Sequence, residues 1–152
     1  MSDTTVMTHR GISVLTDEMV ILGALAVGKM DAIQQAGELL VEADCVSPSY
    51  VAGMLAREEI MSTYLGQGIA LPHGRRMDLQ AVIRTGISVV QLAEGIEWNP
   101  GEMVYLVIGL ASKSDEHTGV LSNLLELLNE PEAIEQLIHT TDPMVIVERL
   151  TR

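Results

Sequence analysis

Short apolar, β-branched runs alternate with helical segments along this chain, and that alternation constrains the fold more than any other feature. The runs Met19–Val27, Arg84–Leu92 and Met103–Ser112 are short and rich in strand-forming residues. A fourth run, GIALPHG at 68–74, should end near Pro72, because proline cannot donate to a strand ladder. Strands that alternate with helices predict a layered α/β domain.

Five helices are predicted around these strands. The segment 29–44 has apolar residues at helical spacing, and Ser47 with Pro48 begins a second helix that runs to about Glu59. Three more helices close the chain: one capped by Ser114 over 115–128, and two that begin at Pro131 and Pro143. The segment 93–102 is predicted to be a loop with a turn at Asn99-Pro100-Gly101.

Together these elements predict a three-layer α/β/α domain over residues 13–152, with a mixed β-sheet flanked by helices on both faces. The order of the strands does not follow from the sequence. Residues 1–12 are polar and are expected to form a flexible N-terminal tail. The length of 152 residues fits one domain of this kind.

The net charge of −12 at pH 7 limits the partners that the chain can bind. It argues against nucleic acid and against anionic lipid, both of which need a basic surface. It permits a basic protein partner, although an acidic surface also simply keeps a protein soluble. The longest apolar run is too short to span a bilayer, so no membrane insertion is expected.

Cys45 is the single cysteine, which excludes an intrachain disulfide and fits a reducing compartment. We expect its side chain to act as a small buried hydrophobe. The first residues lack the apolar stretch of a signal peptide. These features predict a cytoplasmic location.

His73 is the strongest candidate for chemistry, because it follows a predicted strand and stands between Pro72 and Gly74. Proline restricts the local backbone and glycine leaves space beside the ring. A neutral imidazole is nucleophilic near pH 7 and can form and release a covalent intermediate. The alternative is a loop histidine that only hydrogen-bonds its neighbours. Leu65, Ile69, Leu71 and Met77 could form an apolar rim around the ring or belong to the core.

Two further residues could stabilise an anion. His117 falls in the first turn of the predicted helix 115–128, where free amide groups favour anions. Its neighbours Asp115 and Glu116 oppose an anion, so a structural histidine is the alternative. Arg57 offers a planar fork of donors suited to phosphate oxygens, or else it pairs with acids of its own helix. No cofactor motif or metal-binding spacing is present, so no cofactor or metal is expected.

The segment REEIMSTYLGQGIALPHG (57–74) closely resembles the active-site segment of IIA components of the phosphoenolpyruvate-dependent sugar phosphotransferase system, of the mannitol/fructose type. Further stretches agree at 83–92, 106–117 and 137–150, and the resemblance covers about residues 20–150. The mannitol branch is the more similar, because of the setting SDEH that ends at His117.

The resemblance implies that the chain is a phosphotransferase component. His73 would accept the phosphoryl group from the histidine phosphocarrier HPr and pass it to a cysteine of a IIB component, for uptake of mannitol or a related sugar. It further implies that His117 and Arg57 stabilise the phosphoryl group, and that a membrane IIC component is an indirect partner. The basic loop RRMDLQ after Gly74 departs from the mannitol branch, which leaves the sugar open.

Two other functions are weighed against this one. A nitrogen-related IIA of the same fold would be phosphorylated on His73 but would signal by binding targets. A metal-dependent hydrolase would use His73 and His117, but the sequence lacks matching carboxylates.

Overall fold

The computed structural model describes residues 8–9, 12–113 and 118–151. The strands are β1 (Thr8–His9), β2 (Ile12–Ser13), β3 (Val20–Ala24), β4 (Tyr64–Gly66), β5 (Ile69–Ala70), β6 (Gly86–Asn99) and β7 (Glu102–Ala111). The helices are α1 (Lys29–Glu42), α2 (Ser49–Ile60), α3 (Thr118–Leu128), α4 (Pro131–His139) and α5 (Pro143–Thr151). Short 3-10 helices cover Asp17–Met19 and Arg76–Ala81.

The central sheet has the strand order β3-β6-β7-β5-β4. β3 is parallel to β6 and β5 is parallel to β7, whereas the β6–β7 and β4–β5 pairs are antiparallel. The predicted mixed sheet is therefore confirmed, and the structure supplies the order that the sequence left open.

Helices cover both faces of this sheet. On one face, the Ser88 hydroxyl donates to the carbonyl of Ala36 in α1. On the other, the Gln91 side-chain amide donates to the carbonyls of Leu137 in α4 and Thr140 beyond it. Residues 88 and 91 are separated by an odd number of positions, so their side chains point to opposite faces of the strand. The predicted three-layer α/β/α arrangement is confirmed.

The segment 93–102 is not the predicted loop. β6 and β7 continue as a long antiparallel hairpin, with Ile96 opposite Val104 and Asn99 opposite Glu102. Only the turn prediction holds, because Gly101 takes a φ of 81° between the two strands. Gly95 has a φ of 68°, and a Cβ there would lie 2.6 Å from the Tyr105 ring. The register between β6 and β7 is therefore irregular around Gly95, and the residue pattern of the strand does not reveal this.

The predicted helices are present in the described residues, with small differences at their ends. α1 ends at Glu42 and α2 begins at Ser49, and α4 and α5 begin at the two predicted prolines. On α3, Leu124 is buried, as the predicted apolar stripe requires. The predicted cap Ser114 and residues 115–117 lie outside the described part of the chain. Cys45 is buried in the core as expected, and burial raises the pKa of its thiol.

The N-terminal segment contributes a small hairpin in which β1 pairs with β2 in antiparallel register. The other residues of the predicted tail, 1–7 and 10–11, lie outside the described residues. No helix in the described ranges combines the length and apolarity that a bilayer crossing requires.

Candidate functional site

His73 lies just beyond β5, where the chain leaves the sheet. The amide of Leu110 donates to the Pro72 carbonyl at 3.0 Å, and His73 forms a parallel bridge with Leu110 in β7. Leu71 and Pro72 are buried, whereas His73 is half-buried. The sheet therefore fixes the backbone on the N-terminal side of His73 and leaves part of the ring accessible.

The hydrogen bond of the His73 ring determines which nitrogen is reactive. Nδ1 lies 2.8 Å from the Leu71 carbonyl oxygen. A carbonyl oxygen can only accept, so Nδ1 must carry a proton in this contact. In the neutral ring the lone pair then resides on Nε2. Of the two nitrogens of the neutral ring, Nε2 is therefore the one with nucleophilic character.

The hydroxyl of Tyr50 joins the other side of the His73 loop to the sheet. The Gly74 amide donates to this hydroxyl at 2.9 Å, and the hydroxyl donates to the Leu110 carbonyl at 2.9 Å. The Tyr50 hydroxyl thus links the Gly74 amide to the Leu110 carbonyl, beside the parallel bridge between His73 and Leu110. Tyr50 is 3% exposed, and burial raises its pKa to about 12. Tyr50 therefore positions the loop.

Two glycines allow the elements around the loop to approach closely. A Cβ at Gly74 would lie 2.6 Å from the Tyr50 ring, and a Cβ at Gly53 would overlap the Asp78 carboxylate. That carboxylate accepts from the Arg75 amide at 2.7 Å and from Arg75 Nε at 2.9 Å. The Arg75 side chain is the main cause that holds the pKa of Asp78 below its usual range. The loop is thereby tied to α2 as well as to β7.

His73 opens into a cavity of about 330 Å³. Its walls are largely apolar, and its polar lining includes the His73 ring, Arg76 and Ser112; the apolar lining includes Leu71, Leu79, Leu110 and Leu121. Beside it, Met77 and Leu79 are exposed at 71% and 43%. Of the four candidate rim residues, Leu71 lines the cavity, whereas Ile69 is fully buried in the core. The site is an open, largely apolar depression whose lining includes His73.

The profile of the family "Phosphoenolpyruvate-dependent sugar phosphotransferase system, EIIA 2" matches residues 13–152. The chain belongs to this family. It is therefore a phosphotransferase component of the IIA type, as the resemblance in its sequence implied.

Curated relatives agree with this assignment. A multiphosphoryl transfer protein of Xanthomonas campestris is 48% identical over 145 residues, which cover 95% of this chain and 17% of that protein. A mannitol-specific EIICBA component of Pasteurella multocida is 46% identical over 132 residues, covering 85% of this chain and 21% of the relative. The chain thus spans about a fifth or less of the length of these two relatives.

Solved structures share the fold. The crystal structure of IIA mannitol from Escherichia coli has a TM-score of 0.82 and 39% identity, and the match covers 90% of this chain and 98% of that one. A complex of the same IIA with phosphorylated IIB gives a TM-score of 0.83 and 38% identity, covering 90% and 96%. The nitrogen regulatory IIA of Neisseria meningitidis is 27% identical, with a TM-score of 0.78 and coverage of 91% and 97%. The nitrogen-related alternative is therefore not favoured.

Within this EIIA 2 domain, the three predicted site residues are not all seen together. Arg57 lies in the last turn of α2, seven residues after Tyr50, which is about 10 Å along the helix axis. Its guanidinium donates to the Met61 carbonyl at the helix end, and Arg57 does not line the cavity. His117 lies outside the described residues. The roles of Arg57 and His117 stay predictions.

A buried carboxylate next to Arg57 was not singled out from the sequence. Glu58 is 3% exposed and accepts from the Thr63 amide at 3.1 Å and from Trp98 Nε1 at 2.9 Å. Lys29 Nζ lies 3.2 Å from the same carboxylate. This network connects the end of α2 to the sheet. In the sequence, two consecutive glutamates after Arg57 do not show that the first of them is buried and bonded in this way.

The described residues contain no group of three His, Cys, Asp or Glu side chains that could hold a metal ion. The pair required by the hydrolase alternative includes His117, which lies outside them. Membership of the EIIA 2 family favours phosphoryl transfer over that alternative.

Proposed function

We propose that His73 is the phosphoryl-accepting residue of this IIA domain and that Nε2 is the atom that carries the group. The observation that carries the proposal is the hydrogen bond between Nδ1 and the Leu71 carbonyl, because it places the proton of the neutral ring on Nδ1 and the lone pair on Nε2. The ring is also half-buried at an open cavity, which leaves an approach for a second protein.

In the first step the Nε2 lone pair attacks the phosphorus of phosphorylated HPr. The nitrogen–phosphorus bond of the donor breaks, and its electron pair returns to the donor imidazole. In the second step the thiolate of a IIB cysteine attacks the phosphorus, and the pair of the breaking bond returns to Nε2. Positioning and charge stabilisation supply most of the catalysis in such transfers.

The acceptor in this proposal is supported by the similarity to a IIA of Escherichia coli that was solved in complex with phosphorylated IIB. The sugar is mannitol or a related one, in keeping with the mannitol-specific relative. The donor HPr, the indirect partner IIC and a cytoplasmic location follow from the resemblance of the motif around His73.

The docking surface for these partners is the exposed apolar rim beside the cavity. Met77 and Leu79 are exposed on the 3-10 helix that follows His73. Leu125 of α3 is 61% exposed and lies one helical turn after Leu121, which lines the cavity. Both partners must reach the same nitrogen, so they use this surface in turn. Transient carriers of this kind have small interfaces, on the order of 1,200 Å² or less.

His117 and Arg57 are proposed to stabilise the phosphoryl group. The support is the match of both residues to the family motif in the sequence. For Arg57, the guanidinium must first leave the Met61 carbonyl to which it donates. We expect His117→Ala to accept the phosphoryl group but to transfer it to IIB more slowly, and unchanged transfer would make His117 structural.

The experiment is phosphorylation with labelled phosphoenolpyruvate, the first enzyme of the system and HPr from Escherichia coli. The wild-type chain should acquire an acid-labile, base-stable label, and His73→Ala should acquire none. His139→Ala is the matched control, since His139 is exposed and pairs with Glu135. Label that persists in His73→Ala would place the site elsewhere. Transfer from the labelled chain to the mannitol IIB of the same organism then tests the acceptor.

A further inference from the structure

Arg76 lines the cavity into which His73 opens, although neither the motif nor the family resemblance singled it out. It belongs to the 3-10 helix Arg76–Ala81. In such a helix, residues three apart lie on one face. Arg76 and Leu79 share the face that lines the cavity, whereas Met77 is turned outward and is 71% exposed. The turn thus places Arg76 beside the cavity, at a position that is exposed to solvent.

The neighbouring arginine has a different task. The Asp78 carboxylate accepts from Arg75 Nε at 2.9 Å and from Arg75 Nη2 at 3.1 Å, so this pair holds the loop together. Asp78, the acidic residue of the 3-10 helix that contains Arg76, is therefore paired with Arg75. Of two consecutive arginines, one stabilises the loop and the other contributes its charge to the cavity.

Phosphorylation of His73 would place up to two negative charges beside walls that are largely apolar and include four leucines. Leucine side chains offer no hydrogen bonds to a phosphoryl group, and the net charge of −12 adds unfavourable potential. Among the described residues that line the cavity, Arg76 alone carries a permanent charge. A guanidinium presents paired donors that match phosphoryl oxygens, and such contacts are stronger than neutral hydrogen bonds.

We propose that Arg76 binds the phosphoryl group carried on His73 Nε2 and stabilises the charge that spreads over its oxygens during transfer. The assignment rests on the proposed role of His73. It adds a catalytic residue that belongs to the basic loop of this chain, the same loop that sets the sequence apart from the mannitol branch.

The test compares Arg76→Ala, Arg76→Lys and the double variant Arg76→Ala/Met77→Arg. The double variant keeps the net charge but moves the arginine to the outward face of the turn. Each chain is phosphorylated once by labelled HPr and once by phosphoramidate, a small donor that needs no protein docking. ³¹P NMR of the phosphorylated chains follows the ionisation of the phosphoryl group.

We expect Arg76→Ala to slow transfer from both donors by on the order of 10-fold and to raise the pKa of the bound phosphoryl group. Arg76→Lys should restore part of the rate, and the double variant should restore little. Circular dichroism of each variant checks that it folds.

Three results would overturn the assignment. Wild-type rates in Arg76→Ala would show that Arg76 does not contact the phosphoryl group. A defect with HPr alone, with an unchanged phosphoryl pKa, would show that Arg76 binds the partner and not the phosphoryl group. Full rescue by the double variant would show that only the general field matters. A wild-type chain that takes no label on His73 refutes the proposed function itself, and the role of Arg76 with it.

Discussion

The hydroxyl of Tyr50 gives a sharp stability prediction, because one oxygen atom satisfies two backbone groups. Tyr50→Phe keeps the ring against Gly74 but leaves the Gly74 amide and the Leu110 carbonyl without this partner. An unsatisfied buried group costs about 1–3 kcal/mol, and the half-buried Gly74 belongs at the lower end. We therefore expect the free energy of unfolding to fall by about 2–4 kcal/mol at pH 7.

The pH dependence of this difference provides a second signature. Burial raises the pKa of Tyr50 to about 12, above the ordinary value of 10.0. The neutral hydroxyl contributes its full stability below pH 10, and this contribution is lost as pH rises toward 12. A shift of this size corresponds to about 3 kcal/mol. The stability gap between wild type and Tyr50→Phe should therefore narrow over that interval.

The assay is equilibrium unfolding in urea at pH 7 and at several values between pH 10 and 12. Tyr64→Phe is the matched control, because Tyr64 is half-buried in β4 and takes no part in the Tyr50 relay. It should cost about 1 kcal/mol or less. Equal losses for the two variants, or a gap that stays constant with pH, would refute the role given to the Tyr50 hydroxyl.

Three further predictions concern the supports of the site. Gly53→Ala should destabilise the chain by about 1–3 kcal/mol in urea unfolding and slow the labelling of His73, because its Cβ displaces the Asp78 carboxylate; an unchanged chain would contradict the close approach. Glu58→Ala should cost about 3–5 kcal/mol and alter the fluorescence of Trp98, since the indole loses its acceptor; full stability would show the network to be dispensable. Asp78→Asn should be less stable than wild type at pH 7, because it loses the ion pair with Arg75. The pKa of Asp78 is lowered in the folded chain, so the difference in unfolding free energy should disappear below about pH 4, as the wild-type carboxylate is protonated. A difference that persists in acid would exclude the ion pair as its source.

Much of the fold could be predicted from the sequence, because local signals and the final structure agree. The two prolines at 131 and 143 begin helices as their fixed φ requires, and the apolar runs become β3, β6 and β7. The order of the strands could not be predicted, since it depends on contacts between distant segments. The extension of the β6–β7 hairpin was missed because Gly95 interrupts the strand pattern, while the Tyr105 ring fills the space beside it.

The site was predictable where chemistry is concentrated in a motif and not where it depends on tertiary contact. His73 was singled out by its place between Pro72 and Gly74, and the structure adds the hydrogen bond to Leu71. Tyr50 was missed, since a tyrosine in the first turn of a helix gives no signal that it will reach a loop 24 residues away. Arg76 was missed because the sequence shows only two adjacent arginines. Their different positions depend on the 3-10 helix, which is visible only in the structure.

The central claim is that His73 carries the phosphoryl group on Nε2, and nitrogen NMR of the phosphorylated chain tests it most directly. With ¹⁵N-labelled histidine, the phosphorus coupling should appear on Nε2 of His73, while Nδ1 keeps the proton that it donates to the Leu71 carbonyl. Coupling on Nδ1, or on another histidine, would contradict the account.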